Sequence, residues 1–135
     1  MEKASSMKIL LSIKPEYVSR IFSGEKRFEF RKCIFRDSSV HEVYIYATSP
    51  VKMIVGTFGI KDIHEEAPSQ IWKDTYQFAG IEEDAFFTYF QGREKAYAIE
   101  IEDVREFSSP IDPRKKIDNF VPPQSFAYFD DRVLS

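Results

Sequence analysis

The sequence predicts an α+β fold: a small mixed barrel of five or six β-strands with two or three flanking helices, not a parallel α/β sheet. Three observations carry that expectation. Apolar residues alternate with period two in several separate segments, whereas one-sided helical stripes occur in only a few. Glycines and prolines punctuate the chain between them. Aromatic residues make up 16% of the 135 positions, enough rings to fill a core and leave some for a ligand.

Lys8 to Ile13 is an apolar run of strand length. Pro15, pre-set for the first turn of a helix, opens a stripe of Tyr17, Val18, Ile21 and Phe22, and Gly24 stands where a helix end favours a left-handed residue. Lys26 to Arg31 alternates, with Phe28 and Phe30 on one face and Arg27, Glu29 and Arg31 on the other. Val43 to Ala47 does the same, with Tyr44 and Tyr46 opposite Val43 and Ile45. Met53 to Ile63 is a long β-type stretch in which Gly56 and Gly59 allow a bulge or bend. Helical spacing follows at Ile71, Trp72, Thr75 and Tyr76, and a second helix is expected from Ile81 to Phe90, ending near Gly92. Lys95 to Val104 returns to alternation. The tail from Ser108, rich in proline, is expected to run extended over the surface and to close with a short strand at Phe126 to Phe129. Without repeats or low-complexity tracts, residues 1–135 read as one domain, with its core at about 8–106 and the tail and closing strand at 107–129.

Composition removes several classes. No apolar run approaches the roughly 18 residues of a membrane span. The start, Met1 to Met7, lacks the apolar stretch of a signal peptide. One cysteine excludes an intramolecular disulfide, and with only two histidines a structural zinc site is not expected. No metal, cofactor or membrane partner is called for, and the expected setting is the reduced cytoplasm. The net charge of −3 argues against coating nucleic acid nonspecifically, but it hides an asymmetry. Residues 1–36 carry nine Lys/Arg against four Asp/Glu, and the other 99 carry ten against 18. A locally basic surface on an acidic protein suits a short or single-nucleotide anion better than a long duplex. No helix shows the basic face of a major-groove reader, so duplex DNA ranks last among partners.

The chemistry concentrates in Gly24-Glu25-Lys26-Arg27-Phe28-Glu29-Phe30-Arg31. If Arg27, Glu29 and Arg31 share a cleft, the carboxylate lies between two cations and stays ionised. Glu29 can then accept from the amino group of a base while Arg31 engages a phosphate or carbonyl through its fork. The same residues also fit a solvated strand face with cross-strand ion pairs. Lys26 has the parity of Phe28 and Phe30, so strict alternation sends it away from Glu29, and bringing both to one cleft requires a twist or bulge just after Gly24. Buried beside apolar rings, its ammonium would have a lowered pKa and could act as a base. Tyr46 offers a ring for stacking, Tyr44 is expected to pack beneath the outer helices, and Trp72 reads as a helix-face anchor. Cys33 reads as inert, His41 and His64 as hydrogen-bonding groups at strand ends, and Arg114-Lys115-Lys116 as a solvated turn.

The pattern Gly-x-Lys-x-x-Glu-x-Arg, here Gly24, Lys26, Glu29 and Arg31, resembles the signature of the ASCH domains, a branch of the PUA-like superfamily of nucleic-acid-binding barrels. Around it stand Leu11-Ser12-Ile13-Lys14-Pro15, Tyr44-Ile45-Tyr46-Ala47-Thr48-Ser49-Pro50, Val55-Gly56-Thr57-Phe58, Tyr97-Ala98-Ile99-Glu100-Ile101 and Pro122-Pro123-Gln124-Ser125-Phe126, in the order seen in stand-alone prokaryotic ASCH proteins of the predicted transcriptional regulator type. The resemblance covers about Lys8 to Tyr128. It implies a six-stranded barrel whose cleft against the helices binds RNA or a nucleotide-like small molecule. Lys26, Glu29 and Arg31 match the signature itself; Lys14, Ser49 and Ser125 come from the accompanying motifs. Two functions follow. In a binding module, Lys14, Lys26 and Arg31 contact phosphate or carbonyl oxygens and Glu29 a base edge. The alternative is a small hydrolase, an acetylcytidine-type amidohydrolase or a ribonuclease, with Lys26 and Glu29 as its catalytic acid–base pair. Lys26 matches the amidohydrolase lysine, but Glu29 stands where that branch has its threonine nucleophile, which removes the acyl-threonine route. The branch's glutamate lies in the later helical region, where Glu82, Glu83 and Asp84 remain alternatives.

Overall fold

The computed structural model describes residues 7–135; the expectation about a signal peptide falls mostly on the residues before Met7, which lie outside the described residues. The strands are β1 (Met7–Ile13), β2 (Phe28–Arg31), β3 (Glu42–Ala47), β4 (Met53–Glu66), β5 (Ala96–Ile111) and β6 (Phe126–Asp130). The helices are α1 (Pro15–Ser23), α2 (Pro68–Thr75) and α3 (Glu83–Tyr89), with short 3-10 turns at Tyr76–Phe78, Pro113–Lys115 and Asp131–Leu134. Among the described residues no helix is long and apolar enough to cross a membrane.

The strands form one mixed sheet in the order β2-β5-β4-β3-β1-β6. Only β1 and β3 run parallel, joined across by α1 and β2; the other pairs are antiparallel. Among the described residues the ladder does not close, so the expected barrel is an open sheet here. Its edges, β2 and β6, do not pair with each other, because β2 is only four residues long and the chain leaves the sheet after Arg31. Side chains span the gap instead. Arg31 donates to the carbonyls of Ser12 and Ser125, and the Tyr128 hydroxyl accepts from the backbone N–H groups of Arg36 and Asp37 at 3.0 and 3.1 Å. Curvature comes from register shifts in β4 beside Gly56 and Gly59, as the glycine placement predicts.

Burial explains the elements. Ile9, Leu11 and Ile13 of β1 meet Val43 and Ile45 of β3, Phe58 of β4 and the Val18–Ile21 face of α1 in the main core. The start of β5 is buried on both sides. Ile99 joins the main core, while Ala96 and Ala98 let α2 and α3 approach closely with Ile71, Phe86 and Phe90. A third cluster lies on the far face, where Leu10, Tyr46 and Ile54 pack with Phe107, Phe120 and Phe129.

Several boundaries move. β5 runs to Ile111, so Ser108 to Pro110 belong to a strand and not to the tail, since Ile54 of β4 still pairs with Ile111. β2 begins at Phe28, leaving Lys26 and Arg27 in a coil. The predicted helix at 81–90 is the shorter α3, and the closing strand pairs antiparallel with β1.

Candidate functional site

α1 ends at Gly24, whose φ of 87° turns the chain sharply toward β2. The next residues are tied down on both sides: Lys26 N–H donates to the Arg20 carbonyl at 2.9 Å, and Arg27 N–H to the Phe78 carbonyl at 2.8 Å. Because Lys26 precedes the strand, alternation does not govern it. Its ammonium donates to the Ala79 carbonyl at 2.8 Å and sits 4.7 Å from the Phe30 ring centre and 5.4 Å from that of Tyr17. Arg20 in turn donates to the Gly80 carbonyl at 2.9 Å. Three successive carbonyls, of Phe78, Ala79 and Gly80, thus receive groups from Arg27, Lys26 and Arg20. Gly80 permits this approach. Its φ is +62°, and a Cβ there would lie 2.3 Å from the Lys26 Cβ.

Lys26 is 2% exposed. Burial, partly opposed by the Glu29 carboxylate and reinforced by the Arg20 guanidinium, lowers its pKa from 10.5 to about 8. The neighbouring cleft has a volume of about 890 Å³ and lies between α1, β2, α3 and the 122–124 segment. That is within the roughly 300–1,000 Å³ usual for sites that enclose a small ligand. Lys26, Glu29 and Arg31 all line it. Glu29 is 7% exposed; its Oε1 accepts from the Phe30 backbone N–H at 3.1 Å, while its Oε2 is buried without a partner. The terminal nitrogens of Arg31 are held by the Ser12 and Ser125 carbonyls, and its Nε is also buried and unpartnered. An acceptor and a donor are therefore both desolvated beside an open cavity.

The cations around Glu29 differ from those expected. Arg27 is exposed and stacks 4.2 Å from the Phe78 ring centre, so the cleft holds Glu29 with Lys26 and Arg31 instead. Lys14 lines the cleft from the residue before α1. Ser49 does not; it is exposed in the turn after β3, and its neighbour Thr48 takes the cleft position. Ser125 supplies its carbonyl to Arg31 and its hydroxyl to Cys33 Sγ at 3.1 Å, while Gln124 faces the cavity. Tyr46 is 4% exposed and packs on Phe120 in the far cluster, because the side of β3 that carries it is covered by the tail. Tyr44 packs there too, against Phe107 and Phe129 and not beneath the helices, and its hydroxyl donates to Asp131 at 3.1 Å. Of Glu82, Glu83 and Asp84, only Asp84 lines the cleft. Trp72 packs on Phe86 with ring centres 5.0 Å apart.

The sequence reading missed Tyr17 of α1 and Tyr89 of α3, whose rings line the cavity from two helices. Burial raises the pKa of both phenols. Their signal was present but weak: a phenol inside an apolar helical stripe marks the border where that stripe meets a polar space.

A family model described as the ASCH domain matches residues 11–110. The chain is 33% identical over 123 residues to an ASCH domain-containing ribonuclease of Zymomonas mobilis, covering 88% of this chain and 82% of that protein. It is 28% identical over 112 residues to the large ribosomal subunit protein uL22 of Ureaplasma parvum, covering 82% of this chain but 36% of that protein. The crystal structure of a tyrosine-to-phenylalanine mutant of the Zymomonas mobilis ASCH protein superposes with a TM-score of 0.86 at 29% identity, over 93% of this chain and 92% of that one. With the signature residues Lys26, Glu29 and Arg31 gathered in one cleft, the matched fold and the matched sequence agree: this chain belongs to the ASCH domain family.

Proposed function

We propose that the cleft binds RNA, with Glu29 reading a base edge and Arg31 holding a phosphate or carbonyl oxygen. The observation that carries this reading is the pair of buried, unpartnered atoms, Glu29 Oε2 and Arg31 Nε. Leaving such a group unpaired costs about 1–3 kcal/mol, a cost removed when the two side chains turn to meet a ligand with one donor and one acceptor. A nucleobase and its phosphate supply both. The relative named a ribonuclease favours RNA among ligands of that chemistry.

Binding is measured by fluorescence polarisation of a labelled single-stranded RNA octamer bearing 2′-fluoro groups, which removes the 2′-hydroxyl that cleavage needs. Glu29→Gln should change the order of preference among octamers of different base, and Arg31→Lys, which keeps the charge but loses the fork, should weaken all of them. Octamer binding that neither substitution alters overturns the reading.

A second reading, RNA cleavage, is favoured by Lys26. With a pKa of about 8 its amine is uncharged in about a tenth of molecules at pH 7, enough to take a proton in a transition state. On this reading kcat/KM for unmodified RNA rises with pH and levels off above 8, and Lys26→Met abolishes cleavage while the 2′-fluoro octamer still binds. Cleavage that survives Lys26→Met removes this second reading and leaves recognition standing.

A further inference from the structure

Resting on the reading of the cleft as an RNA site, we propose that Tyr89 and Lys32 form a second nucleotide subsite at its rim, so that the ligand is a single-stranded polynucleotide and not a free nucleotide. Tyr89 lines the cleft from the last residue of α3 and remains 36% exposed. The Lys32 ammonium lies 4.7 Å from the ring centre. Among the described residues no carboxylate lies within ion-pair distance of Lys32, or of Lys14, which lines the cleft from the residue before α1. Lys26 and Arg31 occupy the interior.

All four cations come from the basic first 36 residues, and they outnumber the two carboxylates of the cleft, Glu29 and Asp84. Part of the charge asymmetry of the sequence is therefore gathered, in the fold, along one cavity and its rim. A strand whose first unit sits at Glu29 and Arg31 must leave the cavity past its rim, where a ring and an unpaired ammonium are side by side. The two groups match the two parts of a nucleotide. A base stacks on an aromatic ring whatever its identity, and a lysine meets a phosphate as a point charge. The ammonium covers the ring face. A cation over an exposed ring is held less strongly than a base stacked on it, so an arriving strand displaces the ammonium from the ring and draws it to the phosphate.

The test compares the 2′-fluoro octamer with 5′-mononucleotides, used as competitors, on wild type and three variants. Wild type should bind the octamer about 5- to 150-fold more tightly than any mononucleotide, the range expected for one stacked base. Tyr89→Leu, which keeps an apolar side chain on α3 but removes the flat ring, should bring the octamer close to the mononucleotide level. Tyr89→Phe should restore the octamer. Lys32→Ala should lower the slope of log affinity against log salt for the octamer by about one, with little change for mononucleotides. An octamer that binds wild type no better than a mononucleotide, or that binds Tyr89→Leu as tightly as wild type, overturns the subsite while leaving the Glu29–Arg31 reading intact. If neither probe binds wild type, both fall together.

Discussion

Lys26 is held where its charge is costly. Its pKa of about 8, against 10.5 for an exposed lysine, means that between those values the unfolded chain keeps a proton that the folded chain has lost. Stability therefore rises with pH across the 8 to 10.5 window, by about 3 kcal/mol in all, and below pH 8 the penalty is fully present. Replacing Lys26 with Met should flatten the curve in that window, as thermal melts from pH 7 to pH 10 would record. The phenols of Tyr17 and Tyr89, whose pKa values desolvation raises, act in the opposite direction only above pH 10. Gly80 belongs to the same arrangement. An alanine there meets both an unfavourable φ and the stem of Lys26, so Gly80→Ala should destabilise by at least about 1–3 kcal/mol. It should also lower the Lys26 pKa further, measurable by NMR of the labelled side chain, because the Ala79 carbonyl that accepts from the charged ammonium would be pushed away.

The helices α2 and α3 exist as a unit because of one cluster of rings. Phe86 is fully buried and touches Phe30 edge-on at 5.0 Å, Trp72 at 5.0 Å and Phe90 at 4.9 Å. α3 is only seven residues long and would not persist alone in water, so packing has to hold it. Phe86→Ala should cost about 3–5 kcal/mol in urea denaturation and change the emission of Trp72, the sole tryptophan. Because α3 forms one wall of the cleft, that substitution should also weaken the proposed RNA binding. A stability loss below about 1 kcal/mol would show that the cluster does not hold the helix. The periodicity of this region was readable from Ile71, Trp72 and Tyr76, and so was the anchoring role of Trp72. Its cavity face was not, since Asp84, Thr88 and Tyr89 look like an ordinary solvated side of a short helix until β2 is placed opposite them.

Across the whole molecule, the unpaired gap between β2 and β6 is what makes a site. A closed ladder would occupy the backbone groups and side-chain space there; the open one leaves a seam crossed by Arg31, by Cys33 with Ser125, and by Tyr128. Arg31 ties the tail to the sheet through its terminal nitrogens, while its Nε stays buried without a partner. Arg31→Ala should speed amide exchange at Gln124 and through β6 while leaving β3 and β4 as they were, read by hydrogen–deuterium exchange. Unchanged exchange in the tail would mean that the β1–β6 ladder alone secures it.

The strands, the helix stop at Gly24 and the glycine bulges of β4 follow from local rules, because period and turn chemistry act over a few neighbours. Glu29 and Arg31 could be paired from their alternation, whereas joining Lys26 to them rested on the resemblance to the ASCH signature. Which other side chains meet them depends on how distant segments pack. Tyr46 and Tyr44 alternate as a cleft-facing pair would, yet the tail covers that face and buries them with Phe107, Phe120 and Phe129. Arg27 shares the parity of Glu29, yet its backbone is drawn to Phe78 and its guanidinium turns outward. Ser49 and Ser125 stand one residue away from the positions that reach the cavity, Thr48 and Gln124. Sequence alone determined the elements and the chemistry of one short segment. Only the tertiary structure decided the walls of the site, since the orientation of a side chain outside a regular strand is set by whichever carbonyls and rings surround it.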